Sequence, residues 1–144
     1  MLQPTMIFLT LMLCLFPAAA QQTQTPPKAA TPDSFTVPAE AVHQANPVKP
    51  TPASIAQGKK YYGYDCAMCH GNNGDGKGEV AIEEKLTPGD FSDLATLKNK
   101  TDGELFYMIK NGHGHMPPEQ IRSSPNELWN LINYVRSLAN TKGQ

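Results

Sequence analysis

Near the end of the chain, apolar residues fall at Leu128, Leu131, Ile132, Val135 and Leu138. Steps of three and four place them on one stripe, which predicts a helix from Pro125 to about Leu138. Its start is signalled too. Ser124-Pro-Asn-Glu127 fits a capping box, in which a hydroxyl accepts from the third helical amide and the Glu reaches back. Pro125 takes the first helical position, where its missing N–H costs nothing. The same box occurs at Thr101-Asp-Gly-Glu104 and at Ser54-Ile-Ala-Gln57. These predict a helix from about Asp102 to Asn111, stopped by Gly112, and one from Ile55 towards Cys69. Between them, Gly71 to Gly78 reads as a glycine-rich loop, and Glu79 to Leu86 has room for a helical turn before Pro88. No strand pattern competes, so the expected fold class is all-α.

The amino-terminal third is patterned differently. Met6 to Phe16 is an apolar run, followed by Pro17 and Ala18-Ala19-Ala20. That is the core and cleavage site of a secretory signal peptide, residues 1–20, with Gln21 as the first mature residue. No Lys or Arg precedes the run, and it is short for a membrane span of about 20 residues. The expectation is an exported, periplasmic protein, tethered to the membrane only if the segment is retained. Residues 21–53 carry repeated prolines and few apolar side chains, so they read as a Pro-rich flexible linker. Residues 54–140 are left as the folded unit. A unit this small usually needs a disulfide, a metal or a cofactor.

Composition narrows the partners. Twelve basic residues nearly balance thirteen acidic ones, for a net charge of −1. Such a surface gives no footprint for nucleic acid. Loss of the signal also removes Cys14, which leaves Cys66 and Cys69.

Those two cysteines stand in Cys66-Ala-Met-Cys69-His70. A thioredoxin-like pair wants a βαβ setting, and none precedes Cys66. Structural zinc needs four ligands, and no second pair is present further along. An exported disulfide would leave His70 unexplained. Cys-x-x-Cys-His is instead the signature of covalent c-type haem attachment. Residues three apart at a helix end share a face, so both sulfurs can bond one edge of a porphyrin. His70 then offers a nitrogen to the iron. One such motif implies one haem, which also supplies much of the core.

The other face of the iron decides the function. Met116, in Asn111-Gly-His-Gly-His-Met-Pro-Pro118, is the candidate sixth ligand. A thioether favours ferrous iron and raises the potential. His113 and His115 are the alternatives, and an open site would permit catalysis or gas binding. Met68 lies within the attachment loop, and Met108 falls in a helix as a core residue.

From Ser54 to Leu138 the chain closely resembles class I cytochromes c. The resemblance rests on CAMCHG, on Gly58 and Tyr62 eight and four residues before Cys66, on Leu131 and Tyr134 in LINY, and on the TDGELFYMIKNG and HMPP segments. It implies helices wrapped around one covalent haem, with the first and last crossing closely at Gly58. It implies Cys66 and Cys69 as anchors and His70 and Met116 as iron ligands. Family members often place a Pro soon after the attachment site, whose carbonyl accepts from the ligand histidine. Here Gly71 to Ala81 has none, so the sequence names no partner for His70. The function implied is one-electron transfer between redox proteins: a quinol-oxidising complex, a terminal oxidase or a dehydrogenase. The protein would act as a monomer or as a complex subunit, and not as an enzyme in its own right. The alternatives are a haem-c subunit of a larger oxidoreductase and a five-coordinate gas sensor.

Overall fold

The computed structural model describes residues 35–119 and 124–139. The expected signal peptide, residues 1–20, and the first part of the expected linker, 21–34, lie outside the described residues. Among the described residues there are seven α-helices: α1 Ala39–Val42, α2 Pro52–Tyr61, α3 Ala67–His70, α4 Glu79–Glu83, α5 Leu94–Leu97, α6 Asp102–Asn111 and α7 Pro125–Leu138. A π-helical turn, Tyr62–Cys66, joins α2 to α3. Among the described residues the sole β feature is an isolated bridge between His113 and Met116. The fold is all-α, as the sequence predicts.

Helices α6 and α7 have the expected bounds, and both capping boxes form, at Thr101 with Glu104 and at Ser124 with Glu127. The stripe on α7 is the spine of the core: Leu128, Leu131, Ile132, Val135 and Leu138 are all buried, with Trp129 and Tyr134. Full burial stabilises by roughly 1.5–3 kcal/mol for each large aliphatic side chain, so α7 dominates the packing. Trp129 stacks on Phe106 of α6, ring centroids 4.2 Å apart.

Helix α2 contributes differently. Its buried residues are the small Ser54 and Gly58, so α7 rests on the α2 backbone. A Cβ on Gly58 would sit 2.0 Å from the Asn130 carbonyl oxygen and 2.8 Å from Tyr134 Cβ. Close crossing at this point is thus a property of the glycine. One turn on, Tyr62 meets Tyr134 edge to face, centroids 5.1 Å apart.

Two expectations change. The start of α2 is Thr51-Pro52, not Ser54: the Thr51 hydroxyl accepts from the Ser54 amide at 3.2 Å, and Pro52 opens the helix. Ser54 is buried one turn in, where its hydroxyl accepts from the Asn133 side-chain amide at 2.8 Å. The described part of the Pro-rich segment, residues 35–51, is likewise not a free linker. It lies as a strap on α6 and α7. The Asn46 side-chain amide donates to the Asn133 side-chain oxygen at 2.9 Å, and the Asn133 amide donates to the Val48 backbone carbonyl at 3.0 Å. Thr101 donates its hydroxyl proton to the Val42 carbonyl at 2.8 Å. Gly103 admits the strap, since a Cβ there would lie 1.9 Å from the Ala41 carbonyl oxygen. Among the described residues no helix is long and apolar enough to cross a membrane.

Candidate functional site

Helix α2, the π-turn and α3 run without a break from Pro52 to His70. The π-turn closes with Cys66, and α3 ends with Cys69 and His70. Single π-turns inside α-helices gather at functional sites because they widen the coil locally and re-aim the residues beyond them. The end of α3 is fixed in three ways. Gly71 takes φ +77°, a left-handed conformation that stops the helix. The buried Tyr62 hydroxyl donates to the Gly71 carbonyl at 2.8 Å. The glycine-rich loop then folds back, so that Gly76 N–H donates to the His70 carbonyl at 2.8 Å and Gly78 N–H to the Cys69 carbonyl at 3.1 Å. Two carbonyls that a helix end leaves unpaired are satisfied in this way.

Cys66 and Cys69 are free, half-buried thiols. Burial pushes the Cys66 thiol up to about 12, and the carboxylates of Glu119 and Asp65 push the same way. A redox or zinc-binding cysteine needs the opposite, a stabilised thiolate. Among the described residues no group of three His, Cys, Asp or Glu side chains is placed to hold a metal, so His70, His113 and His115 do not form one site.

The His70 ring is held but under-bonded. It stacks on Phe91, centroids 4.5 Å apart and planes 21° from parallel. Burial lowers its pKa, so the ring is neutral and suited to ligation; the Gly89 backbone opposes the shift. That approach closes no hydrogen bond of normal geometry, and Nδ1 is buried without a partner. The group that faces the ring, which the sequence does not name, is therefore the Pro88-Gly89 corner, brought back over it after the α4 excursion. Phe91 N–H secures this return by donating to the Gly74 carbonyl at 2.6 Å. The signal is present as Pro-Gly followed by an aromatic, but too far along the chain for the family's spacing to flag it.

Further along the chain, α6 ends at Gly112, φ +78°. A tight turn comes next. His113 N–H donates to the Met116 carbonyl at 3.0 Å, and Met116 N–H to the His113 carbonyl at 2.9 Å. His113 and His115 are exposed, while Met116 is half-buried. Glu119, just beyond the turn, raises the Cys66 thiol through its charge. Phe35 of the strap meets the His113 ring, centroids 4.5 Å apart and planes at 68°. Neither Glu119 nor Phe35 stands out in the sequence as a functional residue. Two open depressions, about 550 and 630 Å³, lie elsewhere and include none of Cys66, Cys69, His70 and Met116.

The arrangement suits a covalently held haem. Two thiols three residues apart stand at the end of one helix, beside a neutral imidazole whose buried nitrogen is short of a partner. A family model described as cytochrome C oxidase, cbb3-type, subunit III matches residues 53–135. A chain of the reducing HAO-like protein complex of Kuenenia stuttgartiensis is similar in structure, with a TM-score of 0.56 and 30% identity. The match covers 64% of this chain and 46% of that one, so this chain spans less than half of that neighbour. The KustC0563 c-type cytochrome is similar at TM-score 0.50 and 27% identity, over 56% of this chain and 95% of that one. No curated protein matches the chain.

Proposed function

Since the chain belongs to the family of cytochrome c oxidase, cbb3-type, subunit III, a family of c-type cytochrome domains, we propose how its residues serve electron transfer. It is an electron carrier rather than an enzyme, and its family implies covalently bound haem c. When bound, the haem supplies an iron that takes up and releases one electron at a time. Cys66 and Cys69 would anchor it through thioethers, and His70 and Met116 would hold the iron. The single attachment motif makes the protein monohaem. Its cycle leaves the chain's own bonds unchanged.

The observation that carries this reading is His70: a half-buried neutral imidazole with a buried Nδ1, stacked on Phe91, one residue after the second thiol. For the distal side, Met116 is favoured over His113 and His115 because it alone of the three is drawn inward while both histidines face solvent. The protein works outside the cytoplasm, in the periplasm, after removal of residues 1–20. Its partners are larger redox complexes, either as docking sites for a free carrier or as assemblies that hold it as a subunit. The match to a chain of a redox complex supports the second form.

A redox titration of the haem-loaded protein, read through the visible and near-infrared with carbon monoxide added last, tests the reading. A low-spin spectrum with a sulfur-to-iron band, a positive potential and no response to carbon monoxide is expected. A low-spin spectrum without that band would transfer ligation to His113 or His115. A high-spin spectrum that shifts with carbon monoxide would sink the carrier.

A further inference from the structure

Among the described residues, few ties hold the turn that carries Met116. Residues 113–118 present exposed side chains except at Met116. Two backbone bonds, between His113 and Met116, close the turn on itself, and the next tie is Glu119 N–H to the Ile109 carbonyl at 2.9 Å. Such a segment opens at lower cost than the helices around it. Among the described residues, a side chain from far along the chain reaches it. Phe35 lies edge-on to the His113 ring at 4.5 Å and also meets Tyr107 of α6 at 5.8 Å.

The base that presents Phe35 is well anchored. The Val42 carbonyl accepts from Thr101, the Ala41 carbonyl fits over Gly103, and Asn46 and Val48 are bound to the buried Asn133. A fixed base with a ring laid on a loose turn is a clasp. We propose that the strap formed by residues 35–51 positions the Met116 turn, with Phe35 as the positioning residue that keeps the turn closed on the iron. The inference rests on Met116 being the distal ligand.

Linkage gives the consequence. An external ligand reaches the iron only after the Met116 turn opens, so its affinity falls by whatever closing contributes. The Phe35–His113 contact exists only in the closed turn. An edge-on aromatic pair of this kind corresponds to about a 2- to 10-fold bias. Loss of Phe35 therefore tightens external ligands by that factor, while the fold, held by α2 and α7, stays intact.

The test uses the haem-loaded full chain and imidazole as the probe. Phe35→Ala is expected to bind imidazole about 2- to 10-fold more tightly than wild type and to weaken the sulfur-to-iron band, with little change in melting temperature. Phe35→Trp, which keeps an aromatic edge, is expected to restore both. His113→Ala removes the other half of the contact without touching the strap, and should match Phe35→Ala. The double variant should add nothing to either single one, because both delete one interaction. Unchanged imidazole affinity in both single variants, with the sulfur band intact, overturns the clasp and leaves Met116 ligation standing. Absence of the sulfur band in wild type removes Met116 as ligand and overturns the clasp with it.

Discussion

Gly58→Ala places one methyl group between α2 and α7. The new Cβ would lie 2.0 Å from the Asn130 carbonyl oxygen and 2.6 Å from its carbon, both backbone atoms of α7. Backbone cannot swing aside as a side chain can. Even a contact of 3.0 Å, already tighter than real ones, requires a retreat of about 1 Å along a helix that carries the core's buried stripe. Overpacking of this kind costs about 1–3 kcal/mol and often more where backbone is struck. Alanine returns about 1 kcal/mol of helix propensity, which does not cover a displaced α7. The expected net is a loss of about 2 kcal/mol, or a melting temperature lower by about 8–16 °C for a domain of this size. Gly63→Ala is the control, since a Cβ there meets nothing within 4 Å. It should melt at or slightly above the wild type. Thermal unfolding of the three haem-loaded proteins decides the matter. If Gly58→Ala melts no lower than Gly63→Ala, the close crossing is not what makes position 58 a glycine, and the packing argument fails.

Other consequences are open to measurement. Asn133→Ala removes the donor to the half-buried Val48 carbonyl and to the buried Ser54 hydroxyl, and an acceptor for Asn46, so it should lose about 1–3 kcal/mol and raise amide exchange or protease cutting within residues 43–50. Arg136 donates to Asp102 and to the Leu97 and Lys100 carbonyls; chemical denaturation should show that Arg136→Lys fails to restore what Arg136→Met loses, because an ammonium cannot span three acceptors at once. Glu127 accepts from the Tyr61 hydroxyl and from Ser124, which lowers its pKa below the ordinary 4.5. Its contribution is thus fully present above that value and lost as the pH falls through the lowered one. Melting curves of Glu127→Gln should show a flatter acid limb than wild type. Replacing both Cys66 and Cys69 with Ser should abolish haem that survives denaturing electrophoresis, as judged by haem staining.

Legibility from sequence tracks the range of the interactions. Helices α6 and α7 can be read because their signals are local: a hydroxyl, a Glu three residues on, and a periodic stripe. The start of α2 misleads for the opposite reason. Ser54 looks like a cap beside Gln57, yet its hydroxyl is committed to Asn133, 79 positions away. The strap reads as a linker because its prolines and sparse apolar residues are all that a local pattern contains. Polar bonds to α6 and α7 hold it, together with Val48 against the core and the gap over Gly103. The attachment motif is legible because its chemistry is compact. The ring that stacks on His70 and the corner that faces it are not, since the loop through α4 separates Gly71 from Pro88. Gly58 is understood through family resemblance, and the geometry then supplies the reason.

The π-turn at Tyr62–Cys66 sets the phase of one half of this helix against the other. Upstream, Gly58 must face α7; downstream, on the function proposed above, the thiols and His70 must face the cofactor. Each residue of an α-helix advances the side-chain direction by about 100°, so a one-residue change in the widened turn rotates everything after it by that angle. Deleting Gly63 would keep both faces chemically whole and aim them in the wrong relation. For lineage comparison and for redesign, the segment between Tyr62 and Cys66 is therefore tolerant of substitution at its exposed positions but intolerant of any change in length.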